Sequence, residues 1–110
     1  MAIRFENDLH SRAERLVLAS LLLDSGCARH IDMLKPTDFS HDLHGQIFRH
    51  IVKLMAMSQP VNVVTVYESM HRRRSAPGVG VLAYLNALTQ LPAVPANAGY
   101  YAASIRCAKV

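Results

Sequence analysis

Apolar residues crowd the stretch from Ser11 to Asp24, SRAERLVLASLLLD, on nearly every side of a helix drawn through it: Leu16, Val17, Leu18, Ala19, Leu21, Leu22 and Leu23. A helix that is apolar all round has no face to give to water, which predicts a central rod on which the other elements pack. A fully buried strand is the competing reading of such a run. The Leu and Ala content selects the helix, and so does the pattern of Ser11 followed three residues later by Glu14. In such a capping box the Ser hydroxyl accepts from the N–H at Glu14, while the Glu carboxylate reaches back to the N–H of Ser11. Residues 1–10, polar and charged, predict a loose leader.

Ser25 and Gly26 break the pattern. A short segment follows with Ile31 and Leu34 on one side, and Lys35-Pro36 ends it, because a residue before proline is pushed out of the helical region. Thr37, Asp38 and Ser40 bring cap-type side chains around Phe39, which reads as a buried plug between elements. From His41 to about Met57, Leu43, Ile47, Phe48, Ile51, Val52, Leu54 and Met55 recur at spacings of three and four, the stripe of a long helix. Ser58-Gln59-Pro60 closes it. Residues 61–67, VNVVTVY, are β-branched and locally favour a strand. Yet Val63, Val66, Tyr67 and Met70 fall at i, i+3, i+4 and i+7 behind Asn62, a good N-cap, and predict a helix. It runs into His71, Arg72, Arg73 and Arg74, cations suited to the negative end of a helix dipole.

Residues 75–80 form a turn, after which Val81, Leu85 and Leu88, flanked by Leu82 and Leu91, mark another amphipathic helix. Pro92 and Pro95 bracket a second turn, and Pro95 suits the first position of the last helix, where its missing N–H costs nothing. Ala98, Tyr101, Ala102 and Ile105 then repeat at helical spacing. No C-cap glycine or breaker precedes Val110, as in a helix that continues. The whole is an all-α bundle of about six helices: a leader over 1–10, a head over 11–94 and a last arm over 95–110.

Composition narrows the function classes. At 110 residues, about half of them apolar, the chain can bury one modest core. The opening MAIRFENDLH is no secretory signal, and the longest apolar run falls far short of the roughly 18 residues that span a bilayer. The two cysteines, Cys27 and Cys107, make no disulfide framework, which points to a reducing cytoplasm. A net charge of +4 tilts weakly toward acidic partners. There is no G-x-x-x-x-G-K-[ST], no G-x-G-x-x-G and no G-x-S-x-G, and the carboxylates are scattered, so no catalytic or cofactor-binding set is expected. Cys27 with His30, and His41 with His44, stand at i, i+3 and could meet as four metal ligands. The plainer reading puts His41 and Asp42 at a helix start and His30 and His44 among partly buried histidines; no metal is expected. Arg72, Arg73 and Arg74 could contact phosphates, but a solvated helix end explains them as well.

In order and spacing these features resemble the N-terminal domain of replicative, DnaB-type DNA helicases, nearly throughout from Ser11. The carrying residues are Ser11, Ala13, Glu14, Val17, Leu18 and the LLLD at 21–24, then Pro36, Asp38 and Phe39, then His44, Ile47, Phe48, Ile51 and Leu54. Pro60-Val61 with Val64-Thr65, Gly80, Ala83-Tyr84-Leu85, Ala96-Asn97, Tyr100-Tyr101-Ala102 and Ile105-Arg106 complete it. Asn62 stands where the family has Asp, Gly80-Val81 where it has Gly-Gly, and the turn from Leu91 to Pro95 has an extra proline. The resemblance implies a non-catalytic collar on a hexameric helicase. It would dock the primase C-terminal domain and, in some systems, other replisome proteins such as a helicase loader, with only weak or indirect DNA contact. It also implies pairing with a neighbouring copy through a C-terminal helical hairpin, with residues 95–110 as its first arm and Tyr101, Ile105 and Arg106 as pairing residues. With no Walker loop in this sequence, the resemblance leaves two expectations: an excised domain, or a free-standing relative, for example of phage or plasmid origin.

Overall fold

The apolar rod is α1, Leu9–Leu23, and it lies at the centre of the computed structural model, which describes residues 9–31, 34–72 and 80–108. Val17, Leu18, Ala19, Leu21 and Leu22 are all buried, and only Leu23, at the helix end, is half exposed. Around α1 stand α2 (Asp42–Ala56), α3 (Val63–Arg72), α4 (Gly80–Leu88) and α5 (Ala98–Ala108). Three 3₁₀ turns, Ser25–His30, Pro36–Asp38 and Pro95–Asn97, complete the order, and there is no strand among the described residues. The expectation of an all-α bundle holds. The leader up to residue 8, the turn at 75–79, Arg73, Arg74 and Val110 lie outside the described residues.

The expected capping box does not form. The helix already includes Leu9, so Ser11 stands inside it, and the Glu14 carboxylate turns toward Ser40 and His44. At α3 the predicted start is met. Asn62 Oδ1 accepts from the Thr65 N–H at 3.0 Å, and Thr65 Oγ1 accepts from the Asn62 N–H at 3.0 Å, a reciprocal cap that starts a helix in a β-branched stretch. Val66 and Met70 then enter the core. Pro95 opens a 3₁₀ turn that runs directly into α5, rather than the α-helix itself.

α1 packs most extensively against α5, through Ala98, Ala102 and Ile105, and α2 packs on α3. Phe39 is the expected plug, buried with its ring centroid 5.0 Å from that of Phe48. Ile31 and Leu34 are both buried; of the α2 stripe, Val52 is half exposed rather than covered. Gly45 explains how α2 approaches the 3₁₀ turn before it: a Cβ there would lie 2.8 Å from the Pro36 carbonyl oxygen, so a side chain would force backbone apart.

α2 ends in a Schellman motif. Ser58 N–H donates to Met55 O at 3.0 Å, Gln59 N–H to Leu54 O at 2.9 Å, and Ser58 takes the left-handed position at φ 57°. A residue with a Cβ costs about 1 kcal/mol or more in that conformation. Ser58→Gly is therefore expected to stabilise the fold by up to about 1 kcal/mol, read as a higher urea midpoint at unchanged slope. A lowered midpoint would mean that the Ser58 side chain contributes more than its backbone strain costs.

Candidate functional site

The one carboxylate of α1 is buried and must find partners, and Glu14 finds them on two other segments. Its Oε2 accepts from the Ser40 N–H at 2.8 Å and from Ser40 Oγ at 2.6 Å, and its Oε1 accepts from His44 Nδ1 at 2.8 Å. Across the ring, His44 Nε2 meets Tyr84 Oη at 2.5 Å, with the two rings stacked at 5.8 Å between centroids. With the imidazole neutral, Nδ1 donates to Glu14 and Nε2 accepts from the Tyr84 hydroxyl, so every group in the chain has its complement. Glu14 is 1% exposed and His44 0%, and they join α1, the segment after the Pro36–Asp38 turn, α2 and α4. A carboxylate, a histidine and a tyrosine in a row are also a proton-relay inventory. Here the outer ring nitrogen is filled by Tyr84 and the ring is fully buried, so the network acts as a strut. His50 makes a smaller one between α2 and α3, its Nδ1 2.8 Å from Ser69 Oγ.

The charges in this strut follow from its surroundings. Burial alone would raise the Glu14 carboxyl, but hydrogen bonds from His44 and Ser40 outweigh it and hold the group below its ordinary 4.5. Burial drives His44 below its ordinary 6.5, against the upward pull of Glu14 and helped by the charges of His41 and Arg15. Burial likewise pushes the Tyr84 hydroxyl far up, keeping it a donor. Below pH 6.5 the unfolded chain therefore gains a proton on His44 that the folded chain refuses, and below pH 4.5 a second on Glu14. Stability is expected to fall on acidification from pH 6.5 downward, with a slope of at most about 1.4 kcal/mol per pH unit for each such proton. Urea unfolding between pH 7.5 and 4.5 checks it; a flat profile between 7 and 5 would mean that His44 charges in the folded state too.

The sequence-predicted candidates are placed as follows. Among the described residues no three His, Cys, Asp or Glu side chains gather where they could hold a metal. His44 is held by Glu14 and Tyr84, His41 meets it ring edge to ring face at 5.3 Å, and His30 lies on the 3₁₀ turn after α1. Cys27 is a buried free thiol, raised by burial and by the nearby Asp24 charge, the reverse of a reactive cysteine. Arg72 ends α3; its side chain, Arg73 and Arg74 lie outside the described residues. Ile105 is 2% exposed within this chain's own core, and Tyr101 packs against that core. Arg106 faces out, its Nη1 3.6 Å from Asp38 Oδ2. The most exposed aromatic of α5 is Tyr100, at 74%.

Sequence reasoning missed three features. Ser40 and Tyr84 carry no local signal for their contact with Glu14 and His44; the one available clue was the carboxylate itself, isolated in an apolar rod. The third is a pocket of about 380 Å³ lined by Leu21, Ala28, Ile31, Leu34, Phe48 and Met55, with Ile51, Val52 and Arg29 completing the wall. No helix among the described residues is long and apolar enough to cross a membrane.

A family model described as the DnaB-like helicase N-terminal domain matches residues 7–107. The chain is similar to the replicative DNA helicase DnaB of Leifsonia xyli subsp. xyli (strain CTCB07), 32% identical over 91 residues, which is 82% of this chain and 20% of that protein. It is 33% identical to that of Mycobacterium leprae (strain TN) over 91 residues, 82% of this chain and 15% of that one. The crystal structure of the N-terminal domain of DnaB helicase from Mycobacterium tuberculosis superposes with a TM-score of 0.78 at 34% identity, covering 89% of this chain and 70% of that one. The chain thus spans about a fifth or less of the length of these curated relatives.

Proposed function

We propose a function for this chain, which belongs to the family of DnaB-like helicase N-terminal domains: it is the non-catalytic docking and oligomerisation head of a replicative DNA helicase. The match over residues 7–107 carries this reading. It is supported by a core in which the buried ionisable groups of the strut satisfy one another, so that Glu14 and His44 serve rigidity rather than reaction. A rigid head suits a surface that must present the same face each time a partner arrives. In the cytoplasm this head docks the C-terminal domain of primase and contributes to the collar of a hexamer. The outward face of α5, with Tyr100 and Arg106, begins the arm that pairs with a neighbouring copy; Tyr101 and Ile105 support that arm from the core side.

Calorimetry against the primase C-terminal domain from the same organism tests the docking. A micromolar dissociation constant is expected, on the order of 8 kcal/mol. A flat titration at high concentration overturns it. Reading the gene past the codon for Val110 separates two forms of the same function. A frame that continues into a linker helix and G-x-x-x-x-G-K-[ST] makes this head part of a motor; an early stop makes it a free-standing adaptor for a replisome partner.

A further inference from the structure

The apolar pocket between α1, α2 and the Ser25–His30 turn is not used by the strut or by the α5 arm, and its wall has an uneven chemistry. Leu21, Ile31, Leu34 and Ile51 form a buried floor. At the mouth Val52 is 47% exposed, an aliphatic side chain left to water on a helix whose other stripe residues are covered. Among the described residues, the one charged residue of the wall is Arg29. Its guanidinium is exposed, and its hydrogen bond is from Nε to the neighbouring His30 Nε2 at 3.4 Å, with no carboxylate in ion-pair reach among the described residues. Arg49, also exposed, precedes Val52 by one turn of α2 and adds a second cation on that side. The surface therefore offers room for bulky apolar groups together with a charge that no described carboxylate neutralises.

We propose that this pocket seats an amphipathic helix of a partner protein, one that inserts aliphatic or aromatic residues spaced by three or four and sets a carboxylate one turn away against Arg29. The volume is that of a small binding pocket rather than a packing gap. A helix places its anchors on one face at the spacing needed to fill it, while a planar guanidinium takes a carboxylate in two parallel hydrogen bonds. The inference rests on the docking function proposed above and names the chemistry of the helix that docks.

The test uses a synthetic helical peptide with two leucines four residues apart and a glutamate one turn beyond, titrated into the isotope-labelled chain by NMR. Shifts are expected at Leu21, Ile31, Phe48, Val52 and Met55 with a dissociation constant of about 0.1–1 mM. Arg29→Glu is expected to weaken binding about tenfold, and a peptide with lysine for glutamate to recover it on that variant. Absence of shifts at the pocket, or an Arg29→Glu variant that binds the original peptide equally well, overturns the proposal. So does a result in which decanoate moves these signals and the peptide does not, which would make the pocket a site for small amphiphiles. Val52→Arg, a change at an exposed position, is then placed in the primase calorimetry. A loss of about tenfold supports the pocket as the seat; undiminished binding overturns it while leaving docking intact. If the unaltered chain fails to bind primase, the docking reading falls and the peptide titration alone decides the pocket.

Discussion

Glu14→Ala is expected to cost about 3–5 kcal/mol, a large part of the roughly 5–15 kcal/mol that holds a small domain together. The substitution removes an acceptor that the Ser40 N–H, the Ser40 hydroxyl and His44 Nδ1 all use, and leaves the fully buried His44 Nδ1 without its partner, while Ser40, at an exposed position, loses its tie to α1. Neither the methyl of alanine nor a rearranged neighbour replaces two oxygens. Glu14→Gln keeps the volume and one carbonyl oxygen but turns an amide N–H₂ toward one set of donors, so its loss should fall between alanine and the unaltered chain. Urea unfolding followed by circular dichroism measures both. A loss under about 1 kcal/mol for alanine would mean that water enters and bridges the orphaned donors.

Two leucines of α1 give the second large effect and its own control. Leu18 is 0% exposed at the centre of the rod, and Leu23 is 48% exposed at its end. Leu18→Ala is expected to cost about 2–5 kcal/mol, the transfer free energy of the removed carbons together with the cavity they leave. Leu23→Ala should cost under about 1 kcal/mol, because little packing is lost and alanine is the better helix former. Since the change is chemically the same on one helix, propensity cannot explain a difference. Equal losses would show that the rod is not the centre of the core.

Much of this architecture could be read from residue patterns because it depends on local periodicity. The α3 segment is the clearest instance: its valines argued for a strand, but the i, i+3, i+4, i+7 spacing and the Asn62 cap prevailed, and Val66 and Met70 are buried accordingly. The Ser11 and Glu14 pattern failed for the opposite reason. A capping box is judged over four residues, whereas the partners of Glu14 lie 26 and 30 residues away, and a buried carboxylate gains more from three donors than from one helix-end N–H. Tyr84 and Ser40 were illegible on the same ground, as was the close approach that Gly45 permits. Ile105, which the resemblance implies as a pairing residue, is 2% exposed within this chain's own core, and an apolar stripe alone does not tell a core face from an interface. The pocket depends on how the Ser25–His30 turn leans on α2, a relation between segments that no periodicity records.

The packing of α5 on α1 also fixes when this head can fold during its own synthesis. The rod is made first and its main neighbour last, so a nascent chain that has reached only α4 holds much of its apolar rod without the helix that covers it most. Folding of the head therefore waits until α5 has cleared the ribosomal tunnel, and a chain released before Ala98 leaves the tunnel with a core it cannot close.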